Sequence, residues 1–242
     1  MAEARKSALI ISAHSADFVW RAGGAVALHA EKGYHVKVIC LSFGERGESA
    51  KLWRQDGMTL PKVKAARRVE SEKAADILGA AEIEFWDIGD YPMRITDEVI
   101  YRMVDEWRKY QPVFAASHSL HDPYNFDHGL VTHAVQESRI IAQAMGHNPG
   151  QKNIGATPIF LYEPHQTEQC NWKPDVYIDI TSVWDKKRTA IEAMAGQEYL
   201  WEYYTRVGLN RGVQAARNSY YPNIKYAEAY QRIFPDVREV LA

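Results

Sequence analysis

The feature that most constrains the fold of this chain is a regular alternation of short apolar segments with longer amphipathic ones. The short segments are rich in β-branched residues and predict strands at residues 8–12, 35–42, 82–88, 113–117, 158–162 and 176–180. Helices are predicted between or after them, at about residues 18–32, 60–80, 96–110, 129–145 and 181–195. Strands that alternate with helices favour an α/β fold with a doubly wound, mostly parallel sheet and helices on both faces.

A polar cluster directly follows the first predicted strand. His14 and Asp17 lie three residues apart, where this buried strand turns into the first helix. In an open α/β sheet, ligands bind beyond the carboxyl ends of the strands, and both residue types are good ligands for a divalent metal. Asp17 is also suited to cap the following helix, with His14 as a polar loop residue. The pair alone leaves both interpretations open.

Two further polar loops are predicted at the same edge of the sheet. Residues 43–49 follow the second strand and place Glu45 and Glu48 beside the first loop, although loops of this composition are usually solvated. Residues 118–128 follow the fourth strand and contain three histidines, with His128 at the start of the next helix. Three histidines in eleven residues are unusual for a loop with only a structural role.

His14, Asp17 and His128 together would form a metal site with two histidines, one carboxylate and open positions for water or substrate. Zinc suits this donor set, at roughly 2 Å from each ligand. An open iron(II) site uses the same ligands. The predicted cofactor is therefore a divalent metal, with zinc as the first choice, that acidifies water or polarises a carbonyl or carboxylate.

Composition limits the other classes of function. At 242 residues the chain is long enough for one sizeable domain and short for two, so a single domain over residues 1–242 is predicted. A net charge of -2 gives no electrostatic reason to expect nucleic acid or a membrane surface as a partner. Neither cysteine is part of a C-x-x-C pair, no apolar run reaches membrane-spanning length, and the first residues form no signal peptide. We therefore expect a cytoplasmic protein.

The motifs, in their order and spacing, resemble those of a known family, the zinc-dependent N-acetylglucosaminyl de-N-acetylases, also called the LmbE or PIG-L family. The usual first pattern is A-H-P-D-D, and residues 13–17 read A-H-S-A-D; the usual later pattern is H-P-D-H, and residues 125–128 read N-F-D-H. Supporting matches cover nearly the whole chain, at residues 23–24, 44–48, 68–70, 78–79, 179–181, 186–187 and 226–230. The resemblance implies a Rossmann-like fold and assigns the metal ligands to His14, Asp17 and His128.

Two departures from the family pattern argue against a deacetylase. The first Asp of A-H-P-D-D is the general base of the deacetylases, and its position here is Ala16, whose methyl group accepts no proton. The first His of H-P-D-H helps to stabilise the tetrahedral intermediate, and its position is Asn125, which donates a hydrogen bond but carries no charge. Asn125 is therefore a candidate for substrate binding. Loss of a general base typically costs about 10²–10⁴-fold in rate.

Residues 12–24 closely resemble a hydratase subgroup of this family, which adds water to a carbon–carbon double bond of an oxo-tricarboxylic acid. That resemblance implies a hydro-lyase whose substrate is a small oxo-tricarboxylate. For this reaction we expect Glu48 to move the water proton and His165 to act as its partner or as a carboxylate anchor. Arg46 and Arg21 are candidates for binding the substrate, because a guanidinium binds a carboxylate in a bidentate manner.

Two other functions stay open. A zinc-dependent deacetylase of an N-acetylated amino sugar or related amide is the alternative enzyme, and a non-catalytic metal- or sugar-binding module would keep the fold without turnover. The acid–base assignments are open among Glu45, Glu48, His118, His121, Glu163 and His165. The family tends to form oligomers, and the aromatic-rich region from about residue 197 is the predicted surface for a homo-oligomer.

Overall fold

The computed structural model of this protein describes residues 5–237 and 239. Seven strands form one sheet: β1 Ser7–Ser12, β2 His35–Cys40, β3 Glu82–Phe85, β4 Phe114–Ser117, β5 Ile159–Tyr162, β6 Val176–Asp179 and β7 Ala227–Arg232. Their order across the sheet is β3-β2-β1-β4-β5-β7-β6. Neighbours are parallel from β3 to β5, and β7 runs antiparallel to both β5 and β6. The predicted α/β fold with a mostly parallel sheet is confirmed.

Helices cover both faces of the sheet. They are α1 Asp17–Glu31, α2 Ala50–Trp53, α3 Leu60–Leu78, α4 Asp97–Tyr110, α5 Phe126–Gln143, α6 Trp184–Ala193 and α7 Trp201–Arg217, with 3-10 helices at Thr181–Val183 and Ala195–Leu200. Side chains alternate along β1, so Ile10 packs with α1, α3 and α6 while Leu9 and Ile11 pack with α4 and α5. The sheet is therefore buried between two apolar layers.

Helix α1 lies unusually close to its neighbours. A Cβ atom at Gly24 would be only 2.5 Å from Cγ2 of Ile180, so this contact requires glycine. Glu228 of β7 accepts hydrogen bonds from the backbone N–H groups of Gly24 and the following residue, at 2.6 and 2.9 Å. The same carboxylate pairs with buried Lys187 at 2.6 Å. These contacts fix the helix that begins with Asp17.

The largest differences from the predicted elements lie towards the carboxyl end of the chain. Local patterns place no element after residue 197, whereas the structure has α7 and β7 there. The sequence of β7 does not predict a strand, because it is largely polar and its buried Glu228 depends on distant partners, Lys187 and backbone N–H groups of α1. Helix α5 begins at Phe126, three residues earlier than predicted, so His128 lies in its first turn.

The aromatic-rich region after residue 197 belongs to the same sheet assembly, because β7 pairs with both β5 and β6. Within the described residues, no helix is both long and apolar enough to cross a membrane. A single domain over residues 1–242 stays a prediction.

Candidate active site

The predicted site lies where the carboxyl ends of β1, β2 and β4 meet. His14 follows β1, Asp17 opens α1, Glu48 lies in the loop after β2, and His128 lies in the first turn of α5. Ligand atoms of these four side chains all lie within 4.8 Å of one another. They converge because parallel strands end at the same edge of the sheet.

Several hydrogen bonds hold the loop between β1 and α1. Oδ2 of Asp17 accepts from the backbone N–H of His14 at 2.9 Å. The backbone N–H of Ser42 donates to the carbonyl of Ala13 at 2.9 Å, which extends the contact between the ends of β1 and β2. The backbone N–H of Ala13 donates to Nε2 of His118, also at 2.9 Å. The first two predicted ligands therefore lie on a well-supported turn.

His14 is completely buried and faces carboxylates on both sides of its ring. Its Nδ1 lies 3.2 Å from Oδ2 of Asp17. Its Nε2 lies 3.3 Å from Oδ2 of Asp127, which also accepts a hydrogen bond from the backbone N–H of Tyr91. An Nε2–H that donates to Asp127 leaves the Nδ1 lone pair directed at Asp17.

His128 has the same kind of support. Its Nδ1 lies 2.9 Å from Oδ2 of Asp122, and its Nε2 lies 3.6 Å from Oδ1 of Asp17. An Nδ1–H that donates to Asp122 leaves the Nε2 lone pair on the side of Asp17. The two imidazoles therefore present one free nitrogen each to the same carboxylate.

This arrangement fits a divalent metal. Nδ1 of His14 and Nε2 of His128 are buried and have no hydrogen-bond partner among the described residues, which is costly unless they bind something else. A carboxylate on the far ring nitrogen is the usual support of a metal-binding histidine. Two imidazoles with one or two carboxylates suit zinc or iron(II). The ligand assignment itself stays a prediction.

Negative charge dominates the surroundings of His14. Burial lowers the pKa of this imidazole, but the carboxylates of Glu48, Asp127 and Asp17 raise it, and the net pKa lies well above the ordinary value. For Glu48, burial raises the pKa while the charge of His14 lowers it, and the net shift is downward. A group of carboxylates that attracts a proton also attracts a metal cation, which would replace that proton on the imidazole.

The other two histidines of the loop at residues 118–128 have different surroundings. Nε2 of His118 already accepts a hydrogen bond from Ala13, and its ring stacks on His128 with centroids 4.0 Å apart. Burial, followed by the charge of His128, holds the pKa of His118 well below its ordinary value, which keeps the ring neutral. His121 is exposed. Neither belongs to the group of four side chains that could hold a metal.

An open cavity of about 740 Å³ lies beside the predicted ligands. Tyrosines form much of its wall: Tyr91, Tyr124, Tyr199 and Tyr204. Its mixture of aromatic and polar side chains is typical of a site for a small molecule.

Three of the predicted catalytic and substrate-binding residues line this cavity close to the ligands: Glu48, Asn125 and Arg21. Oε1 of Glu48 lies 3.2 Å from Nδ1 of His14 and accepts a hydrogen bond from Nδ2 of Asn125 at 3.3 Å. Nε of Arg21 lies 3.5 Å from Oδ1 of Asp17, one turn earlier on α1. The structure thus brings together, beside the predicted metal ligands, the candidate base Glu48, the neutral donor Asn125 and the cation Arg21.

His165 also lines the cavity, on the loop after β5. Its ring stacks on Tyr203, with centroids 4.2 Å apart. Burial, followed by the charge of Arg21, lowers the pKa of His165 below its ordinary value. A lower pKa makes the protonated imidazole a stronger acid, which is compatible with the predicted role in proton transfer.

Arg46 is the predicted substrate-binding residue that the structure does not bring to the cavity. The backbone N–H groups of Arg46 and Gly47 bind the carboxylate of Asp90, at 3.0 and 2.8 Å. The half-exposed guanidinium of Arg46 lies on the same side and donates to the carbonyl of Asp90 at 3.2 Å. It lines a separate surface depression that also includes Lys64. The structure therefore gives no support to the expectation that Arg46 binds substrate.

Two of the other acid–base candidates have structural partners. Glu45 is buried, and its Oε2 accepts a hydrogen bond from the backbone N–H of Phe43 at 3.1 Å. Both carboxylate oxygens of Glu163 accept from Nε of Arg211, at 3.0 and 2.9 Å. Neither Glu45 nor Glu163 lines the cavity, whereas the acid–base candidates Glu48 and His165 do.

Ala16 occupies the position of the deacetylase base and is completely buried. It belongs to the apolar layer formed with α1, α3 and α6. The carboxylate that lies beside the predicted ligands comes instead from Glu48, in a different loop.

Several residues of the site have no clear local signal in the sequence. Asp122 and Asp127 belong to the polar loop singled out above, but their pairing with ring nitrogens depends on side-chain orientations. Gln197 and Tyr204 also line the cavity, but they come after about residue 195, where the fifth and last predicted helix ends. Their place in the site depends on the packing of the 3-10 helix Ala195–Leu200 and of α7.

The sequence profile of the PIG-L family, described as GlcNAc-PI de-N-acetylase, matches residues 9–138, which are 130 of the 242 residues of the chain. The chain belongs to the PIG-L family. It is 64% identical over 241 residues to a "4-oxalmesaconate hydratase" of Pseudomonas putida KT2440, and the match covers 98% of this chain and 93% of that protein. The predicted resemblance to a hydratase subgroup of the PIG-L family is thereby confirmed.

Solved structures of the PIG-L family agree with the fold. The crystal structure of GalB, described as the 4-carboxy-2-hydroxymuconate hydratase of Pseudomonas putida KT2440, matches with a TM-score of 0.95 and 64% identity, and covers 98% of this chain and 100% of that one. The N,N'-diacetylchitobiose deacetylase of Pyrococcus horikoshii matches with a TM-score of 0.78 at 22% identity, over 95% of this chain and 84% of that one. The latter similarity concerns the fold alone.

A deacetylase is also similar in sequence, at a greater distance. The diacetylchitobiose deacetylase of Thermococcus kodakarensis is 26% identical over 207 residues, which cover 82% of this chain and 73% of that protein. Within the PIG-L family, this chain is therefore much more similar to the hydratase than to this deacetylase.

Proposed function

We propose that this protein is a metal-dependent hydratase that adds water to the carbon–carbon double bond of 4-oxalomesaconate, in its keto or enol form. The product would be 4-carboxy-4-hydroxy-2-oxoadipate. The 64% identity to proteins named as hydratases of such a substrate supports this activity. The structural observation that carries the proposal is the position of Glu48, 3.2 Å from Nδ1 of His14, while Ala16 occupies the position of the deacetylase base.

We propose zinc as the metal, with His14, Asp17 and His128 as its ligands. When bound, zinc would polarise an oxygen atom of the oxo-acid or of water. The carboxylates of Asp127 and Asp122 would orient the two imidazoles through their far nitrogens. The unpartnered ring nitrogens beside Asp17 support this assignment.

The protein must move two protons in this reaction. Hydration breaks the π bond and one O–H bond of water, and it forms one C–O bond and one C–H bond. We assign Glu48 to take the proton that water releases as its oxygen bonds to carbon. We assign His165, in its protonated form, to give a proton to the other carbon. Asn125 holds Oε1 of Glu48 at 3.3 Å and so orients the base.

The substrate carries three carboxylates, and the protein must compensate their charge. Arg21 lines the cavity beside Asp17, and its planar guanidinium is suited to a bidentate carboxylate contact. Asn125 is the neutral donor that we assign to the substrate in addition to its contact with Glu48.

We further propose that the protein acts in the cytoplasm, as a homo-oligomer, in bacterial degradation of gallate. Exposed aromatic side chains in the region from about residue 197 support an assembly surface there; they include Tyr199, Tyr220 and Tyr221. Equilibrium sedimentation tests the assembly, and a monomer at all concentrations would contradict it.

A spectrophotometric assay tests the proposed activity. The zinc-loaded protein is mixed with 4-oxalomesaconate, and the loss of conjugated absorbance is followed with and without a chelator. We expect a rapid loss that the chelator abolishes and added zinc restores, with a product that has gained one water by mass spectrometry. No loss with folded, zinc-loaded protein would contradict the proposal. Release of acetate from an N-acetylated amino sugar would then identify the alternative deacetylase.

A further inference from the structure

A buried arginine lies directly behind one wall of the cavity. Arg67, on α3, is completely buried, and its Nη1 pairs with Oε2 of Glu70 at 2.7 Å. Its Nη2 donates to Oε1 of Gln197, also at 2.7 Å. Gln197 belongs to the 3-10 helix Ala195–Leu200 and lines the cavity with 3% of its surface exposed. Arg67 thus connects α3 to a wall of the site.

The same cluster fixes the backbone next to Gln197. Oε1 of Glu70 accepts a hydrogen bond from the backbone N–H of Gly196 at 2.8 Å. A Cβ atom at Gly196 would lie 3.1 Å from Nη1 of Arg67 and 3.3 Å from each carboxylate oxygen of Glu70, so the close approach favours glycine. Gln197 itself has a non-helical backbone, with φ -129° and ψ 38°. The 3-10 helix Ala195–Leu200 is therefore interrupted at Gln197, the residue whose side chain binds Arg67.

The bond to Arg67 determines the orientation of the Gln197 amide. A guanidinium only donates hydrogen bonds, so the amide oxygen of Gln197 must face it and the amide nitrogen must point elsewhere. Within residues 5–237 and 239, no acceptor binds this Nε2 atom. Because Gln197 lines the cavity, its NH₂ group is a fixed donor for a molecule bound there.

A trianionic substrate needs a donor of this kind. Asp17, Glu48 and Asp122 already place negative charge at the cavity, and Arg21 is the one Arg or Lys that lines it within the described part of the chain. The metal and Arg21 can each bind one substrate carboxylate, which leaves the third to neutral donors. An N–H donor forms a strong, charge-assisted hydrogen bond with a carboxylate.

We propose that Gln197 binds one carboxylate of the substrate through Nε2 and that Arg67 is the positioning residue that holds the amide in its donating orientation. The inference rests on the proposed function, because it takes an oxo-tricarboxylate as the substrate. It adds a determinant of specificity, since an ester in place of that carboxylate carries no charge and loses the charge-assisted part of the hydrogen bond.

The variant Gln197→Glu tests this, because a carboxylate keeps the bond to Arg67 but replaces the donor with a negatively charged acceptor. We expect the KM for the tricarboxylate to rise about 10- to 100-fold, as for the loss of a hydrogen bond to a charged group. We expect kcat to change less than about threefold, because the contact exists before and during the reaction. Gln197→Leu removes the donor without adding charge, and its KM should rise as well.

Gln214→Glu is the matched control. The amide oxygen of Gln214 also accepts a hydrogen bond from an arginine, Arg211, but Gln214 does not line the cavity. Its kinetic constants should equal those of the wild type. A similar rise in KM for this variant would show a general effect of a new carboxylate and would overturn the inference.

The three monomethyl esters of the substrate separate a contact from a distortion of the site. For the ester at the carboxylate that Gln197 binds, Gln197→Leu should change KM less than about threefold, because the charge-assisted part of the contact is already lost. For the other two esters, KM should rise as it does for the parent tricarboxylate. An equal rise for all four compounds, or no rise for any, would overturn the inference while the proposed hydratase activity stands. If the wild type hydrates none of them, the proposed function fails and this inference fails with it.

Discussion

Asp127 accepts a hydrogen bond from Nε2 of His14 at 3.3 Å, on the side of the ring that faces away from Asp17. Asp122 has the same relationship to Nδ1 of His128, at 2.9 Å. Each histidine thereby presents its other nitrogen to Asp17. Asp127, which directly precedes His128 in the motif at residues 125–128, therefore supports the ring of His14, more than a hundred residues earlier in the chain.

The first prediction concerns this support. Asp127→Asn keeps the shape of the side chain but removes its charge, and it should lower zinc affinity about 10- to 100-fold. Competition with a chromophoric chelator measures the change. Asp185→Asn, on the exposed first turn of α6, is the matched control and should bind zinc like the wild type. An unchanged affinity for Asp127→Asn would contradict the assignment of His14 as a ligand supported by Asp127.

The second prediction separates the base from the ligands. Glu48→Gln retains the contact with Asn125 but accepts no proton, so kcat should fall about 10²–10⁴-fold. Zinc content, measured by atomic absorption, should stay that of the wild type. Loss of zinc in this variant would make Glu48 a fourth ligand. Full turnover with zinc still bound would remove Glu48 from the reaction.

The third prediction compares two arginines. Arg21→Lys keeps the charge but loses the bidentate geometry, so the KM for the tricarboxylate should rise about 10-fold or more. Arg46→Lys makes the same change outside the cavity, where the side chain contacts Asp90, and its KM should not change. Steady-state kinetics measures both variants. A larger effect at Arg46 than at Arg21 would show that the loop after β2 rearranges when substrate binds.

The fourth prediction concerns the stability of α1. In Gly24→Ala, the new methyl group would meet Ile180 at 2.5 Å, and this overpacking should cost about 1–3 kcal/mol of the free energy of unfolding. Gly146→Ala is the matched control, because no heavy atom of the described residues, its two chain neighbours apart, lies within 4 Å of the new Cβ. Urea denaturation measures both. Equal stability of the two variants would contradict the close contact between α1 and Ile180.

The fifth prediction uses the pH dependence of stability. Burial lowers the pKa of His29 below its ordinary value, and this effect exceeds that of its hydrogen bond to the carbonyl of Ala25. The unfolded chain therefore binds a proton at this position at a higher pH than the folded protein does. Its contribution to stability is present above the unfolded pKa, near 6.5, and is lost as pH falls towards the folded pKa.

The variant His29→Gln removes this titration. The decrease in melting temperature between pH 7.5 and pH 5, measured by thermal denaturation in zinc-free buffer, should be smaller in the variant than in the wild type. A larger decrease in the variant would mean that protonation of His29 stabilises the folded protein.

The parallel part of the sheet and the predicted ligands follow from local patterns. Apolar, β-branched segments end in polar loops, and the geometry of a parallel sheet brings His14, Glu48 and His128 to one edge. This needs only that these strands are parallel, and the helices between them supply the long connections that parallel strands require.

Other features depend on contacts that no local pattern records. The direction of the Arg46 guanidinium is decided by Asp90, more than forty residues later. The place of Gln197 is decided by Arg67, on a distant helix. The burial of Glu228 needs Lys187 as its partner. Each is a long-range polar pairing, which hydrophobic periodicity does not encode.

The position of β7 between β5 and β6 has a consequence for how the chain is made. Strands β3, β2, β1, β4 and β5 can assemble once residue 162 has been synthesised. Strand β6 then has no neighbour in the sheet until residues 227–232 emerge, although it lies about fifty residues earlier in the chain. Until then, the two backbone N–H groups of α1 that bind Glu228 also lack this acceptor. A nascent chain on a ribosome that stalls before residue 227 would therefore have an open sheet edge at β5 and a Lys187 without its partner Glu228. Chaperones and proteases would be expected to bind such a chain.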